Sequence, residues 1–369
     1  MMENGKISAL QMAMMIYPGI IATGILFLPA TSFDYAGRDL WLSPIWASVI
    51  GFLTVLMVTK LNQFYPKETI IQYSTHILGA IPGKVIGAAI LLFYLHGTSN
   101  VIWQYGEFVI SYFLPQTPQI VVLGSMILVC AFAVRGGVEV MGRLAEMIVP
   151  IFLLLFLFIV ILLLPDAEAK HLFPIMGKGI TPSMKGAAFS NIWFGQFFFF
   201  SFFLAFVTDR QKGRKWGVIS VIAVLLTMVV TNLMTLLVFG NATGNFGAPL
   251  MNAVQYISVA DFLSHLEALV MAIWIAGAFM KICVFYYVVV LGTAQWLNLS
   301  DYRPIVFPLG FLTVLLAIWQ ISNVSTFISY NRTIDVFLNP IIQTAIPMFL
   351  LLVASIQKGI RKKKEEQKG

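Results

Sequence analysis

The first apolar run of the sequence carries residues that suit recognition of a small charged molecule. It extends over residues 7–33 and contains Pro18, Gly19 and Gly24 near its middle. Proline removes a backbone donor and glycine makes an irregular backbone cheap, so the helix is expected to open here. An opened helix end presents bare N–H groups and the positive end of its dipole, which together suit a carboxylate.

This opened stretch predicts a ligand site at Gly19, Ala22, Thr23 and Gly24. The N–H groups from Ala22 to Gly24 are expected to hold a carboxylate, and the carbonyls near Gly19 an ammonium. The alternative is a kinked helix that binds no ligand. Freed backbone groups need partners in hydrocarbon, so an opened segment has to be buried or line a cavity.

Lys281 is the one Lys or Arg inside a predicted span, where a lysine costs about 2.5–3.5 kcal/mol on insertion scales. It follows Trp274 by seven residues, so the two side chains share a helix face. Its ammonium can supply a fixed or protonatable charge for ion coupling. The alternative is a structural lysine that is held by carbonyls or reaches toward the membrane surface.

Polar residues in two further apolar runs are candidates for the same site. His96 and Asn100 lie one turn apart in the third run and are expected to line the cavity. A histidine that is merely satisfied inside the protein is the alternative. Asn191 and Gly195 interrupt the sixth run, where a lone glycine can also mark a close helix contact.

Signatures of enzymes do not stand out in the sequence. There is no phosphate-binding glycine loop and no cluster of His and Cys at metal-ligand spacing. The four histidines are scattered and offer no Ser-His-Asp arrangement. The protein is therefore expected to be no enzyme and to need neither a metal nor another cofactor.

The composition indicates a polytopic membrane protein of the all-α class. Of the 369 residues, 59% are hydrophobic and 11% are charged, and the mean hydropathy is +0.88. Soluble domains carry about 25% charged residues. A net charge of +7 can suggest nucleic acid, but the basic residues mark loops, so the bilayer is the expected surroundings and nucleic acid is not an expected partner.

Ten apolar runs predict ten transmembrane helices in a single membrane domain over residues 1–369. Seventeen Lys and Arg fall on the side of the N-terminus and five on the other, which predicts that both termini are cytoplasmic. Residues 357–369 form a basic cytoplasmic tail. The predicted spans are residues 7–33, 40–59, 85–113, 119–134, 144–164, 186–207, 216–239, 262–297, 305–321 and 334–356.

The first and sixth spans are both interrupted and stand five spans apart. Interrupted segments at corresponding positions of two halves indicate a transporter-type binding site near mid-membrane. Repeat one is predicted over about residues 7–164 and repeat two over about residues 186–356.

Three features resemble the B-subunit family of endospore germination receptors, also called spore germination permeases. Residues 7–11 read Ile-Ser-Ala-Leu-Gln, and residues 23–29 read Thr-Gly-Ile-Leu-Phe-Leu-Pro. The eighth span begins Phe-Leu-Ser-His-Leu-Glu-Ala-Leu at residues 262–269 and continues through Trp274 to Lys281. The third feature is the overall length, with ten spans and almost no soluble tail.

The resemblance implies membership of the amino acid–polyamine–organocation superfamily, hence a LeuT-like five-plus-five inverted repeat with broken helices 1 and 6. It also implies a spore inner-membrane location and two partners, a membrane-anchored A-type subunit and a lipoprotein C-type subunit. The expected function is binding of a small germinant in a mid-membrane cavity, with a neutral amino acid such as Ala or Val as the ligand. The alternative is a proton-coupled amino acid transporter or exchanger.

Overall fold

The computed structural model describes residue 3 and residues 5–256, 266–321 and 323–366. Helices account for most of these residues, as the composition predicts. The predicted start of the eighth span, residues 262–265, lies outside the described residues. The α-helices are α1 (Ala9–Ala36), α2 (Ser43–Phe64), α3 (Ile70–Leu78), α4 (Ala80–Tyr112), α5 (Gln119–Gly136), α6 (Val138–Leu163), α7 (Thr181–Phe194), α8 (Phe200–Phe203), α9 (Gly213–Phe239), α10 (Pro249–Tyr256), α11 (Leu266–Trp296), α12 (Val306–Gln320), α13 (Val324–Tyr330), α14 (Val336–Pro340) and α15 (Ile346–Glu366).

Nine helical stretches of the described residues are long and apolar enough to cross a membrane. The first stretch, Ala9–Phe64, contains both α1 and α2, which are joined by the 3-10 turn Gly37–Leu42. The count of ten spans stays a prediction.

Helix α1 lies at the centre of the bundle. It packs against α6, α7, α9 and α11, and its middle, from Met15 to Leu26, is buried on every side. A helix that is apolar all round is stable only where other elements surround it. The outer helices instead expose large apolar side chains, such as Leu154 on α6 and Phe311 on α12, as lipid contact requires.

The chain around the sixth span runs antiparallel to α1. Ile7, just before α1, forms an isolated backbone bridge with Val207, just after the sixth span. At the other end, the ring of Tyr35 stacks on Phe189, with 4.3 Å between ring centroids. The start of one segment therefore lies beside the end of the other.

The predicted opening of the first span is not seen, because α1 continues as one helix through Pro18 and Pro29. A carbonyl oxygen has two lone pairs, so it can keep its helical hydrogen bond and still accept a side-chain donor. Neighbouring helices supply such donors to the carbonyls of Gly19 and Ala22.

The sixth span changes its helix type at the predicted glycine. α7 ends at Phe194, and Gly195–Phe199 form a 3-10 helix before the short α8. A Cβ at Gly195 would meet Oε1 of Gln343, so the tenth-span segment approaches the sixth span closely here.

The carboxylate of Glu3 closes the end of the bundle at which α1 begins. The residue is 6% exposed, and its Oε2 accepts hydrogen bonds from the hydroxyls of Tyr287 and Tyr302 at 3.1 and 3.0 Å. The N–H of Val138 donates to the same oxygen at 3.2 Å, and the N–H of Gly5 donates to Oε1 at 2.7 Å. Four donors thus compensate the desolvation of this charge.

Candidate functional site

A cavity of about 560 Å³ lies between α1, α4, the sixth span, α11 and the segment that precedes the last helix. Pockets of this size ordinarily accommodate a small organic molecule. The cavity is larger than one that would suit Ala or Val, the ligands expected from the sequence. Its polar and charged lining residues are Thr23, Thr31, Asp34, His96, Asn100, Gln104, Glu107, Ser111, Gln196, Asn245, Lys281, Asp335, Asn339 and Gln343.

Lys281 lines this cavity and is 1% exposed. Its Nζ donates to the carbonyl oxygen of Gly19 at 2.7 Å and to Oε1 of Gln196 at 3.0 Å. It also lies 5.1 Å from the ring centroid of Phe285, a favourable place for a cation. An ammonium has three N–H donors, so one of them remains for a molecule in the cavity.

Trp274 makes the second contact between α11 and the carbonyls of α1. Its Nε1 donates to the carbonyl of Ala22 at 2.7 Å. Gly277 lies between the two donors, and a Cβ there would be 3.4 Å from the Cβ of Ala22, so the two helices approach closely. Residues of α11 meet α1 in reverse order, which makes the helices antiparallel.

Helix α4 is antiparallel to α11 as well. Near the start of α4, the carbonyl of Lys84 accepts from Trp296 Nε1 at 2.8 Å. Near its end, the ring of Tyr105 stacks on that of Trp274 with 5.9 Å between centroids. Helices α1 and α4 are therefore parallel and rise along the cavity in the same direction.

A short polar chain crosses the cavity wall at α4. Nδ1 of His96 lies 2.9 Å from Oε1 of Gln320, and Nε2 lies 3.0 Å from Nδ2 of Asn100. These partners require that Nδ1 carries the hydrogen and that Nε2 accepts. Oδ1 of Asn100 is buried and has no protein donor among the described residues. The chain thus ends in an acceptor at the cavity wall.

Thr23 holds an aromatic wall in place. Its Oγ1 accepts the indole N–H of Trp193 at 3.0 Å, which joins α1 to α7. Both residues are buried and line the cavity.

We expect Thr23→Val to lower the free energy of unfolding by about 1–3 kcal/mol, because the buried indole N–H loses its acceptor. The measurement is the apparent melting temperature of the detergent-purified protein. Thr23→Ser keeps the hydroxyl and serves as the matched control, so its melting temperature should stay close to that of the unaltered protein. Equal melting temperatures for the valine and serine variants would contradict this role.

Asp335 is a charged residue of the cavity that the sequence reasoning missed. It lies in the π-helical turn Asn331–Asp335 and is 7% exposed. Its backbone carbonyl accepts from Asn339 Nδ2 at 2.8 Å, but no described side chain hydrogen-bonds its carboxylate. The available signal was a carboxylate inside the tenth apolar run, although it is only the second residue of that run.

The structure brings some of the predicted site residues together in the main cavity and places the others elsewhere. Thr23, His96, Asn100 and Lys281 line the cavity together, and Gly19 reaches it through its bond to Lys281. Ala22 is buried, with its carbonyl bonded to Trp274, and its N–H lies within a continuous helix. The predicted carboxylate site on bare N–H groups of α1 is therefore wrong.

Gly24, Asn191 and Gly195 do not line the main cavity. A Cβ at Gly24 would lie 2.5 Å from Cε of Met228, so this face of α1 packs against α9. Asn191 and Gly195 lie one turn apart and border a second cavity of about 230 Å³ beside the last helix. Helix phase explains the difference, because Trp193 and Gln196 occupy the side of the sixth span that faces the main cavity.

Sequence comparisons give the relatives of the chain. The family described as "Spore germination protein" matches residues 6–326. The chain is 26% identical to Spore germination protein KB of Bacillus subtilis (strain 168), covering 100% of this chain and 99% of that protein. It is 27% identical to Spore germination protein YndE of the same strain, covering 85% of this chain and 86% of that protein.

Solved structures with the same fold are transporters. MhsT in complex with L-phenylalanine matches with a TM-score of 0.66 and 13% identity, covering 96% of this chain and 89% of that one. Mhp1, a nucleobase-cation-symport-1 family transporter with bromovinylhydantoin bound, matches with a TM-score of 0.70 and 10% identity, covering 94% and 78%. The predicted all-α membrane architecture of LeuT-like transporters is thereby confirmed.

Proposed function

The chain belongs to the spore germination protein family, and from this premise we propose that it is the germinant-sensing subunit of a spore germination receptor. Family and fold are those of receptors and transporters rather than of enzymes. The chain is an integral membrane protein, and we place it in the spore inner membrane with both termini cytoplasmic. Its proposed partners are an A-type subunit and a lipoprotein C-type subunit.

The proposed ligand is an amino acid zwitterion, held in the mid-membrane cavity. One observation carries this proposal: a buried ammonium, that of Lys281, and a buried carboxylate, that of Asp335, line the same cavity without forming an ion pair with any described residue. A zwitterion satisfies both at once, because its carboxylate meets the free N–H of Lys281 and its ammonium meets Asp335. Buried charges are stable only when they are paired and hydrogen-bonded.

The test is calorimetric titration of the purified chain in lipid nanodiscs with three analogues that share one side chain. The first is an L-amino acid, the second its amide without the carboxylate, and the third the corresponding α-hydroxy acid without the ammonium. We expect the amide and the α-hydroxy acid each to bind at least about tenfold more weakly than the amino acid, because each lacks one charge-assisted hydrogen bond. Equal binding of all three, or no binding of any amino acid, would refute the zwitterion site.

A proton-coupled amino acid transporter or exchanger is the second candidate, and the transporter fold favours it. Uptake into proteoliposomes separates the two functions. Accumulation of the amino acid driven by a proton gradient supports the transporter. Binding without accumulation, together with spores that lose their response to one nutrient when the gene is deleted, supports the sensor.

A further inference from the structure

We propose that the ligand of this cavity is an amino acid with a large apolar side chain, preferably an aromatic one. This inference rests on the proposed function, since it presumes a zwitterion at Lys281 and Asp335. It replaces the expectation of a small side chain such as that of Ala or Val. The argument concerns how polar and aromatic residues are layered along the cavity.

The polar layer of the cavity consists of Asn100, Gln196 and Lys281. Three different elements contribute to it, namely α4, the 3-10 helix of the sixth span and α11. Oε1 of Gln196 accepts a hydrogen bond from Nζ of Lys281. Oδ1 of Asn100 is the buried acceptor that has no protein donor among the described residues. This layer supplies the groups that a zwitterion needs.

A second layer, which we call the aromatic collar, consists of Phe27, Trp103 and Trp193. Trp103 comes three residues after Asn100, and Phe27 comes eight residues after Gly19, whose carbonyl binds Lys281, on helices that run in the same direction. Each collar residue lines the same cavity as the polar layer.

Trp193 completes the collar from the sixth span. It comes three residues before Gln196 on a segment that runs antiparallel to α1, so it is displaced in the same direction as Phe27. At 1.5 Å of rise per residue, Trp103 and Trp193 lie about 4.5 Å beyond the polar layer, and Phe27 lies about 12 Å beyond it. Only a side chain of several carbon atoms spans one helical turn from a backbone bound at the polar layer.

The side chains of the aromatic collar are held firmly enough to discriminate between ligand side chains. The indole of Trp193 is fixed by its hydrogen bond to Thr23, and Trp103 is 3% exposed and packs on Phe327 with 5.2 Å between ring centroids. Aromatic rings interact well with further rings at such separations. A methyl side chain would leave this apolar space unfilled, which forfeits its dispersion contacts.

The experiment is titration of the full chain in lipid nanodiscs with L-phenylalanine, L-leucine and L-alanine. We expect the two larger amino acids to bind about 10- to 100-fold more tightly than L-alanine, as burial of a large apolar side chain predicts. Phe27→Ala should reduce the ratio of the affinity for L-phenylalanine to the affinity for L-alanine. Phe158→Ala is the matched control, because Phe158 lies on α6, is 40% exposed and does not line the cavity, so the ratio should persist.

The outcomes separate this inference from the proposed function. Binding of L-alanine that equals or exceeds that of L-phenylalanine overturns the collar but leaves the zwitterion site standing. Loss of the zwitterion requirement itself, seen when the amide and hydroxy-acid analogues bind as well as the amino acid, overturns the proposed function. Should Phe27→Ala fail to purify as a single species, Phe27→Leu and the ranking of ligands on the unaltered chain decide the question.

Discussion

Replacement of Lys281 with methionine is expected to lower amino acid affinity by about 10- to 100-fold. The variant removes the N–H that is free for a carboxylate. It also leaves the Gly19 carbonyl and Oε1 of Gln196 without their shared donor. Methionine keeps much of the length and apolar volume of lysine, so the missing charge dominates the result.

A structural role for Lys281 predicts a different pattern from a binding role. If the ammonium holds the ligand carboxylate, the amino acid and its amide should bind the Lys281→Met variant equally, because the group that distinguishes them has gone. If Lys281 only positions Gln196, both should weaken while their ratio survives, which would contradict direct binding. Lys60→Met is the matched control, since Lys60 is exposed on α2 and its Nζ lies 5.4 Å from the ring centroid of Phe64, outside the cavity.

Replacement of Asp335 with asparagine is expected to weaken the amino acid by about 10- to 100-fold while leaving the α-hydroxy acid nearly unaffected. Asparagine has almost the same shape, so the change removes charge with little change in volume. In the unaltered chain the buried carboxylate has no described side-chain partner, which leaves it available for an ammonium. Affinities come from the same nanodisc titrations.

The contrast between the two variants is the sharpest check of the site. Lys281→Met should erase the advantage of the acid over its amide, and Asp335→Asn should erase the advantage of the amine over the alcohol. Asp166→Asn is the control for loss of a carboxylate, since Asp166 is exposed and outside the cavity. An Asp335→Asn variant that binds the amino acid as tightly as the unaltered chain would exclude this residue from ligand recognition.

Much of the membrane fold could be predicted because it depends on composition and on hydrophobic run length. The seven-residue spacing of Trp274 and Lys281 correctly placed both on one face of α11, and both donate to α1. The division into repeats at residues 7–164 and 186–356 stays a prediction.

Other parts of the site depend on partners that the local sequence does not encode. Pro18 and the glycines signalled an opened helix, but α1 is continuous, and its carbonyls at Gly19 and Ala22 accept from residues more than two hundred positions later in the sequence. Asn191 has a polar side chain suited to ligand binding, but it lies on the side of the sixth span that borders the smaller cavity. Asp335 was overlooked because it stands at the edge of an apolar run, where a carboxylate is expected to meet water.

The buried carboxylate of Glu3 bears on whether the protein can alternate between conformations that open to opposite sides of the membrane. A transporter that opens the two ends of its cavity alternately would have to separate this carboxylate from the hydroxyls of Tyr287 and Tyr302 and from the N–H of Val138. A receptor that only senses its ligand can keep this end of the bundle closed. The contacts of Glu3 would therefore add a free-energy cost to alternating access that a sensor does not meet.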